Sequence, residues 1–419
     1  MTDKQGFRFT RRGLLTGGAA ASLGAAAALV GERSLAGHEA AIRSDAHAAA
    51  LREAERLRGT QTLPFYGEHQ AGVETEPQAQ QALVALTIRD SAASPAELRR
   101  MLSSLTQIAA RLTQGNSPST DASPELGLLP ARLTVTFGFG RRLVEIVKPD
   151  AAPSWLSELP PFTHDRLREE WNGGDLLLQI AADDPVTVTY AQRQLLKVAR
   201  EFATVRWTQQ GFRRAYGTEP GSTTQRNLMG QLDGTANPAL GSADFASVVW
   251  NTGAETPPWL DGGTSLVVRR ITMHLDRWDR VDRTGREQAI GRRLDTGAPL
   301  TGASEHDEPD LGAKDSLGFP TIGTYAHVRR ARSTNSNERI YRRSYNYDIA
   351  AENGSEQISD SGLVFTSFQR DVTAQFLPLQ SRIDELDLLN EWTTHIGSAV
   401  FAIPTGCREG EFVGQALFP

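Results

Sequence analysis

The apolar residues of this chain fall into short periodic runs, and each period names an element. Residues 82–88 alternate and are rich in small and branched side chains, which predicts a strand. Residues 95–114 place Leu98, Met101, Leu102, Leu105, Ile108, Ala109 and Leu112 on one face of a 3.6-residue period, the stripe of a half-buried helix. Residues 133–140 read as a strand ending in glycines, 175–181 form a near-continuous apolar run, and 186–204 are patterned as an amphipathic helix. Strand, helix, strand, strand, helix is the order of a ferredoxin-like α+β module. The second half gives a comparable order: a strand over 266–275, helix after Trp278, a strand over 362–368 and a helix over 374–388. No letter-by-letter repeat joins the halves.

At 419 residues the chain has ample length for two domains, or one large one, around a bound cofactor. Its net charge of −6 gives no electrostatic case for nucleic acid as a partner. Cys407 is the single cysteine, which rules out an intrachain disulfide, covalent haem through Cys-x-x-Cys-His and a thiolate metal cluster. Near the N-terminus, Arg11-Arg12 precede an Ala, Gly and Leu stretch to Val30 and a small-residue run ending near Ala36. This predicts a twin-arginine signal over 1–36, too short and Gly/Ala-rich for a membrane span, with a linker over 37–61. The expected partner is the twin-arginine export machinery, which carries folded proteins, and the expected location is extracellular or periplasmic.

Candidate chemistry begins at Asn227-Leu228-Met229-Gly230-Gln231-Leu232-Asp233-Gly234-Thr235-Ala236-Asn237-Pro238, where glycines and an Asn-Pro pair bend the backbone around one acid. A second stretch carries His327 and Arg329 in Thr324 to Ala331, and Arg342-Arg343 before Ser344-Tyr345-Asn346-Tyr347. A buried acid, a histidine and an arginine are the parts of a haem peroxidase site. Further segments occur in order: Phe65-Tyr66-Gly67 with His69-Gln70 and Gly72, then Gly262 to Arg270, Gly291-Arg292, and Gly297 to Gly302. With them the sequence resembles the dye-decolourising peroxidases from about Thr62 to the C-terminus.

The resemblance implies an α+β fold of two ferredoxin-like modules with antiparallel sheets and peripheral helices, of the dimeric α+β barrel type. These modules would span 62–215 and 216–419, with one noncovalent haem b held mainly by the second. It further implies an enzyme that reduces hydrogen peroxide while oxidising dyes, phenolics or other small organic reductants. Alternatives are an iron-releasing deferrochelatase of an iron-uptake system and a non-enzymatic haem carrier.

Of eight histidines, His38 and His47 lie in the linker, His306 in an acidic loop, His164 at a helix entry, His274 in a strand and His395 before Gly397. His69 is expected to cap a turn. That leaves His327, which the resemblance also marks as the axial iron ligand. Peroxide cleavage needs a base and a fixed cation; Asp233 is expected as the first and Arg342 as the second, with Arg343 the competing choice. Ser344 stands where related sequences often have glycine. Glu338 and Asp295 are candidates for the acceptor behind His327, and Arg329 and Arg343 for haem carboxylate partners. Phe365 and Phe376 are expected on the pocket wall, in a stretch that also holds Phe368 and Asp371. Trp250, Trp259, Trp278 and Tyr345 are candidates for relaying an electron to the surface, against ordinary core packing.

Overall fold

The structure, a computed structural model, describes residues 58–419 except 119–120, 221–222, 254–255, 352 and 356, and these form one compact unit. The expected signal and most of the linker lie outside the described residues.

The first half contributes β1 (Gln80–Ile88), α1 (Pro95–Thr113), β2 (Thr134–Phe139), α2 (Arg141–Val147), β3 (Leu176–Ala182), α3 (Pro185–Ala199) and β4 (Ala203–Phe212). Helix α1 starts where its sequence signals require: Ser94 accepts a hydrogen bond from the Glu97 amide, and Pro95 occupies the first turn. Of its expected stripe, Leu98, Met101, Leu102, Leu105, Ala109 and Leu112 are buried and Ile108 is half-buried. Strands β1 and β3 read as continuous apolar runs because both of their faces are covered. Ala82, Val84 and Leu86 pack under the helices, while Leu83 and Ala85 enter a separate interior cluster. The strand order β2-β3-β1-β4 is that of a ferredoxin-like module.

The second half contributes α4 (Ala243–Val249), β5 (Thr264–Met273), α5 (Leu275–Trp278), α6 (Arg283–Ile290), α7 (His327–Arg330), β6 (Tyr341–Arg342), β7 (Tyr345–Ala350), β8 (Ser359–Gln369), α8 (Leu377–Leu386) and β9 (Thr393–Ile403). Here the order is β9-β5-β8-β7, the same topology with a long excursion after its first strand, and β6 continues the β7 edge along β8. The two modules join edge to edge. One register pair, Phe139 with Ala402, links β2 to β9, and another, Phe212 with Asn346, links β4 to β7. Since β5 also pairs with β8, eight strands close into a barrel. Closure leaves only the two module seams weakly paired.

Two element boundaries and one whole strand differ from the sequence pattern. The helix expected to reach residue 204 ends at Ala199, because Ala203 opens β4, a strand whose polar run Thr-Val-Arg-Trp-Thr-Gln-Gln hides its partial burial. The helix expected from residue 374 begins as a wider π turn over Val372–Phe376, capped by the Asp371 carboxylate on the Ala374 amide, before α8. Strand β9 escapes the pattern because Thr, His, Gly and Ser interrupt its apolar residues, though it pairs along nearly its whole length with β5.

Candidate active site

Alternation on the second module's sheet separates two environments. Leu266 and Val268 of β5 face the barrel interior, whereas Arg269 and Ile271 face outward, as does Phe365 of β8, and His395 of β9 joins them. Over this outer face lie α7, α8 and the loops of the excursion, and between them is a cavity of about 440 Å³. Ile271, Ile290, Val328, Ile340, Phe365 and Leu379 give it apolar walls; His327 and Arg342 add the polar groups.

His327 opens the one-turn helix α7. Its Nδ1 lies 2.5 Å from Asp387 Oδ2, at the end of α8. Asp387 is buried, and its other oxygen accepts the Leu389 amide at 2.9 Å. A carboxylate acceptor fixes the proton on Nδ1 and leaves the lone pair on Nε2, the arrangement of a metal-binding histidine. Burial is the largest influence on this imidazole and lowers its pKa, but the charge and hydrogen bond of Asp387 together place it above the ordinary value. Arg342 opposes that rise and Asp233 assists it.

The loop carrying Asp233 is shaped as its glycines suggest, with φ of 87° at Gly230 and 133° at Gly234. Arg226 braces it through the Gly230 carbonyl at 2.5 Å. Asp233 Oδ1 accepts a 2.6 Å bond from Arg342 Nη1. Asn237 of the same loop holds the arginine's backbone from both sides, donating to the Arg342 carbonyl at 2.7 Å and accepting its amide at 3.1 Å. Arg342 lines the large cavity and also a second, polar cavity of about 320 Å³, to which Asp233 and Asn237 contribute. Asp233 itself does not line the large cavity; its neighbours Gln231, Leu232 and Thr235 do.

Several sequence expectations land elsewhere. Arg343, one residue on, turns to the barrel interior, where it is fully buried and donates to the Thr75 carbonyl and to Gln78. It has no place on the cavity wall. Arg329 is used up by the carbonyls of Leu311, Ile322 and Gly323. Phe376 is wholly buried one layer behind Phe365, with ring centroids 6.2 Å apart. Neither Glu338 nor Asp295 stands behind His327: Glu338 pairs with Arg382 at 2.6 Å, and Asp295 is an exposed partner of Arg283. Trp250, Trp259, Trp278 and Tyr345 are all buried, so none is a surface station. His69 is structural, stacked on Trp250 and bonded to the Gly262 carbonyl at 2.7 Å.

Sequence reasoning missed Asp387, Asn237, Arg269 and His395. Asn237 lay in the quoted motif and carried an acceptor and a donor, the one available signal. Arg269 is buried on the cavity wall and paired with Asp165 of the first module, while its Nε has no partner among the described residues. His395 lies 3.8 Å from the same carboxylate, and burial, then Arg269 and His164, holds its pKa well below the usual value.

These residues fit a haem. The cavity has apolar walls for a porphyrin, the His327 imidazole with its free Nε2 lone pair, and an orphaned buried donor on Arg269 together with Arg292 and Arg332 for its carboxylates.

Comparison with known proteins points the same way. The family model "Dyp-type peroxidase, N-terminal" matches residues 70–213 and "Dyp-type peroxidase, C-terminal" matches 224–408. The chain is 40% identical to a dye-decolorizing peroxidase of Thermobifida fusca, covering 99% of this chain and 98% of the relative. It is 34% identical to a deferrochelatase of Escherichia coli (strain K12), covering 84% and 86%. A crystal structure of a DyP-type peroxidase from Cellulomonas bogoriensis superposes with a TM-score of 0.82 at 51% identity, covering 86% of this chain and 99% of that one.

Proposed function

The chain belongs to the Dyp-type peroxidase family and is a haem-dependent peroxidase, and on that premise we propose that it is an exported enzyme that oxidises dyes, phenolics and similar organic reductants through Asp233, Arg342 and His327. The observation that carries the residue assignment is the position of Arg342, on the wall of the cavity that His327 lines and in a salt bridge with Asp233.

Bound haem supplies the redox-active iron at which hydrogen peroxide is reduced. The residues of this chain do the rest. His327 offers Nε2 to the iron while Asp387 holds Nδ1–H, which makes the imidazole a stronger donor. Arg342 engages Asp233 Oδ1, so Oδ2 is the oxygen left to take a proton from peroxide and return it to the departing oxygen, across the Arg342 wall that the Asp233 cavity shares with the haem cavity. Arg342 keeps its own proton and offers a fixed positive charge to the oxygen that becomes negative. Asn237 sets the depth at which that charge stands. Arg269, Arg292 and Arg332 are the cations available to the haem carboxylates.

The relatives named deferrochelatase favour a second reading, release of iron from haem. One experiment separates the two. The haem-loaded protein is given peroxide with a phenol or an anthraquinone dye, and the porphyrin is extracted and analysed after many turnovers. Oxidised reductant with intact haem is the expected result; accumulation of metal-free porphyrin, with reductant untouched, would put iron release first. Export rests on Arg11-Arg12, and replacing both by lysine should leave a reporter fusion inside the cell.

A further inference from the structure

At one end of the barrel the interior stops being apolar. Continuing the alternation of Leu83 and Ala85 brings Gln81 inward, Trp207 is followed by Gln209, and Val268 by Arg270. Beside them the seam between β4 and β7 is open, since its one register pair is Phe212 with Asn346 and the strands part beyond it. The result is a cavity of about 410 Å³, lined by these three polar side chains together with Trp171, Tyr347, Val188 and Ile349. It lies across the sheet from the haem cavity, because Arg269 and Arg270 are consecutive residues of one strand and line different cavities.

The polar groups here are unspent. Gln81 is 2% exposed, yet neither its Nε2 nor its Oε1 has a hydrogen-bond partner among the described residues. Arg270 is 5% exposed; Nη2 reaches Asp360 at 2.9 Å, while Nε and Nη1 have no hydrogen-bond partner among the described residues. Gln209 uses its Nε2 on the Gln210 carbonyl and leaves Oε1 without a partner among the described residues. The Arg270 guanidinium lies between two aromatic faces, 3.9 Å from the Trp171 ring centre and 4.5 Å from that of Tyr347. Buried amides and guanidinium N–H groups without partners are costly, and they are commonly satisfied by whatever the site binds.

We propose that this seam cavity is a binding site for a neutral monocyclic phenol, held by Gln81, Gln209 and Arg270. The free groups include donors on Gln81 and Arg270 and acceptors on Gln81 and Gln209, which a hydroxyl complements because it both accepts and donates. Val188, Ile349 and Trp171 give the ring an apolar and aromatic wall. Charge selects against ions of either sign. Arg270 is already balanced by Asp360, and Asp348 stands at the rim, so an anionic ligand meets two carboxylates and a cationic one meets the guanidinium. The site thus narrows the proposed range of organic reductants, and it rests on that proposal for its biological meaning, though its occupancy is measured independently.

The test uses the haem-loaded protein and fluorine-19 relaxation of 4-fluorophenol near neutral pH, where a phenol is uncharged, with anionic 4-fluorobenzoate as the control. Ile349→Trp fills the exposed mouth, and Gln81→Leu removes the amide. Binding of 4-fluorophenol that weakens by about five- to tenfold in both variants, with 4-fluorobenzoate binding far more weakly, is the expected result. No binding to the wild type, equal binding in wild type and variants, or equal binding of the anion would each overturn the proposal; the first would mean a cavity that holds only water. Peroxide-driven oxidation of an anionic dye, unchanged in Ile349→Trp, verifies that the variant is folded and loaded. If no organic reductant is oxidised by the wild type, the functional reading fails while the binding result stands.

Discussion

Arg342 Nη1 meets Asp233 Oδ1 at 2.6 Å, although 109 residues separate them in sequence. The bond joins the turn-rich loop after Gln225 to the short strand β6, and Asn237 fastens the same two segments through the Arg342 backbone. Removing the acid while keeping its shape isolates the proton transfer. Asp233→Asn should retain the Soret band and slow the reaction with peroxide by about 10²- to 10⁴-fold, measured by stopped-flow absorbance. An undiminished rate would remove Asp233 from the mechanism.

The arginine doublet offers a sharper contrast. Arg342→Leu should depress the peroxide reaction with a small change in melting temperature. Arg343→Met should do the reverse, since it removes a buried cation that ties the junction between β6 and β7 to the segment at Thr75 and Gln78, at a cost of about 2–4 kcal/mol. Denaturant unfolding and single-turnover kinetics on both variants decide the matter. A peroxide defect in Arg343→Met would contradict its placement inside the barrel.

Asp387 is expected to set the electronic character of His327. Asp387→Asn keeps an acceptor but removes the charge, so the imidazole becomes a weaker donor and the iron reduction potential should rise, with haem affinity falling by about 10- to 100-fold. His327→Ala should lose or alter the Soret band altogether. Spectroelectrochemical titration of the first variant and haem titration of both provide the measurements.

His395 links stability to pH. Its folded pKa lies well below the ordinary histidine value of 6.5, so the unfolded chain binds the proton first as acid is added. Its contribution is therefore fully present above pH 6.5 and is lost as pH falls below that value toward the folded pKa. Thermal melts of wild type and His395→Gln from pH 8 to pH 5 should diverge in slope below about 6.5, the variant being flatter. Parallel curves would mean that His395 titrates normally.

Much of this was legible in the chain. The apolar periods located α1, β1, β3 and β5 to within a few residues, because their burial patterns are local consequences of facing a helix layer or a barrel interior. Glycines at 230 and 234 announced a bent loop, and both adopt positive φ. Less regular strands escaped notice: β4 is interrupted by polar residues at Thr204, Arg206, Thr208, Gln209 and Gln210, and β9 is broken by Gly397.

What the sequence alone determined was therefore the regularly patterned elements, the bent loop that carries Asp233, and His327 as the histidine left after the others were placed. Only the tertiary structure decided which side each neighbour takes. Arg342 and Arg343, like Arg269 and Arg270, are consecutive residues, and adjacent strand residues point to opposite faces of a sheet. Their letters are identical, so the faces are distinguished by barrel closure alone. The same holds for Asp387 against Glu338 and Asp295. All three are acids at plausible positions, and the packing of α8 against α7 brings one of them to the imidazole.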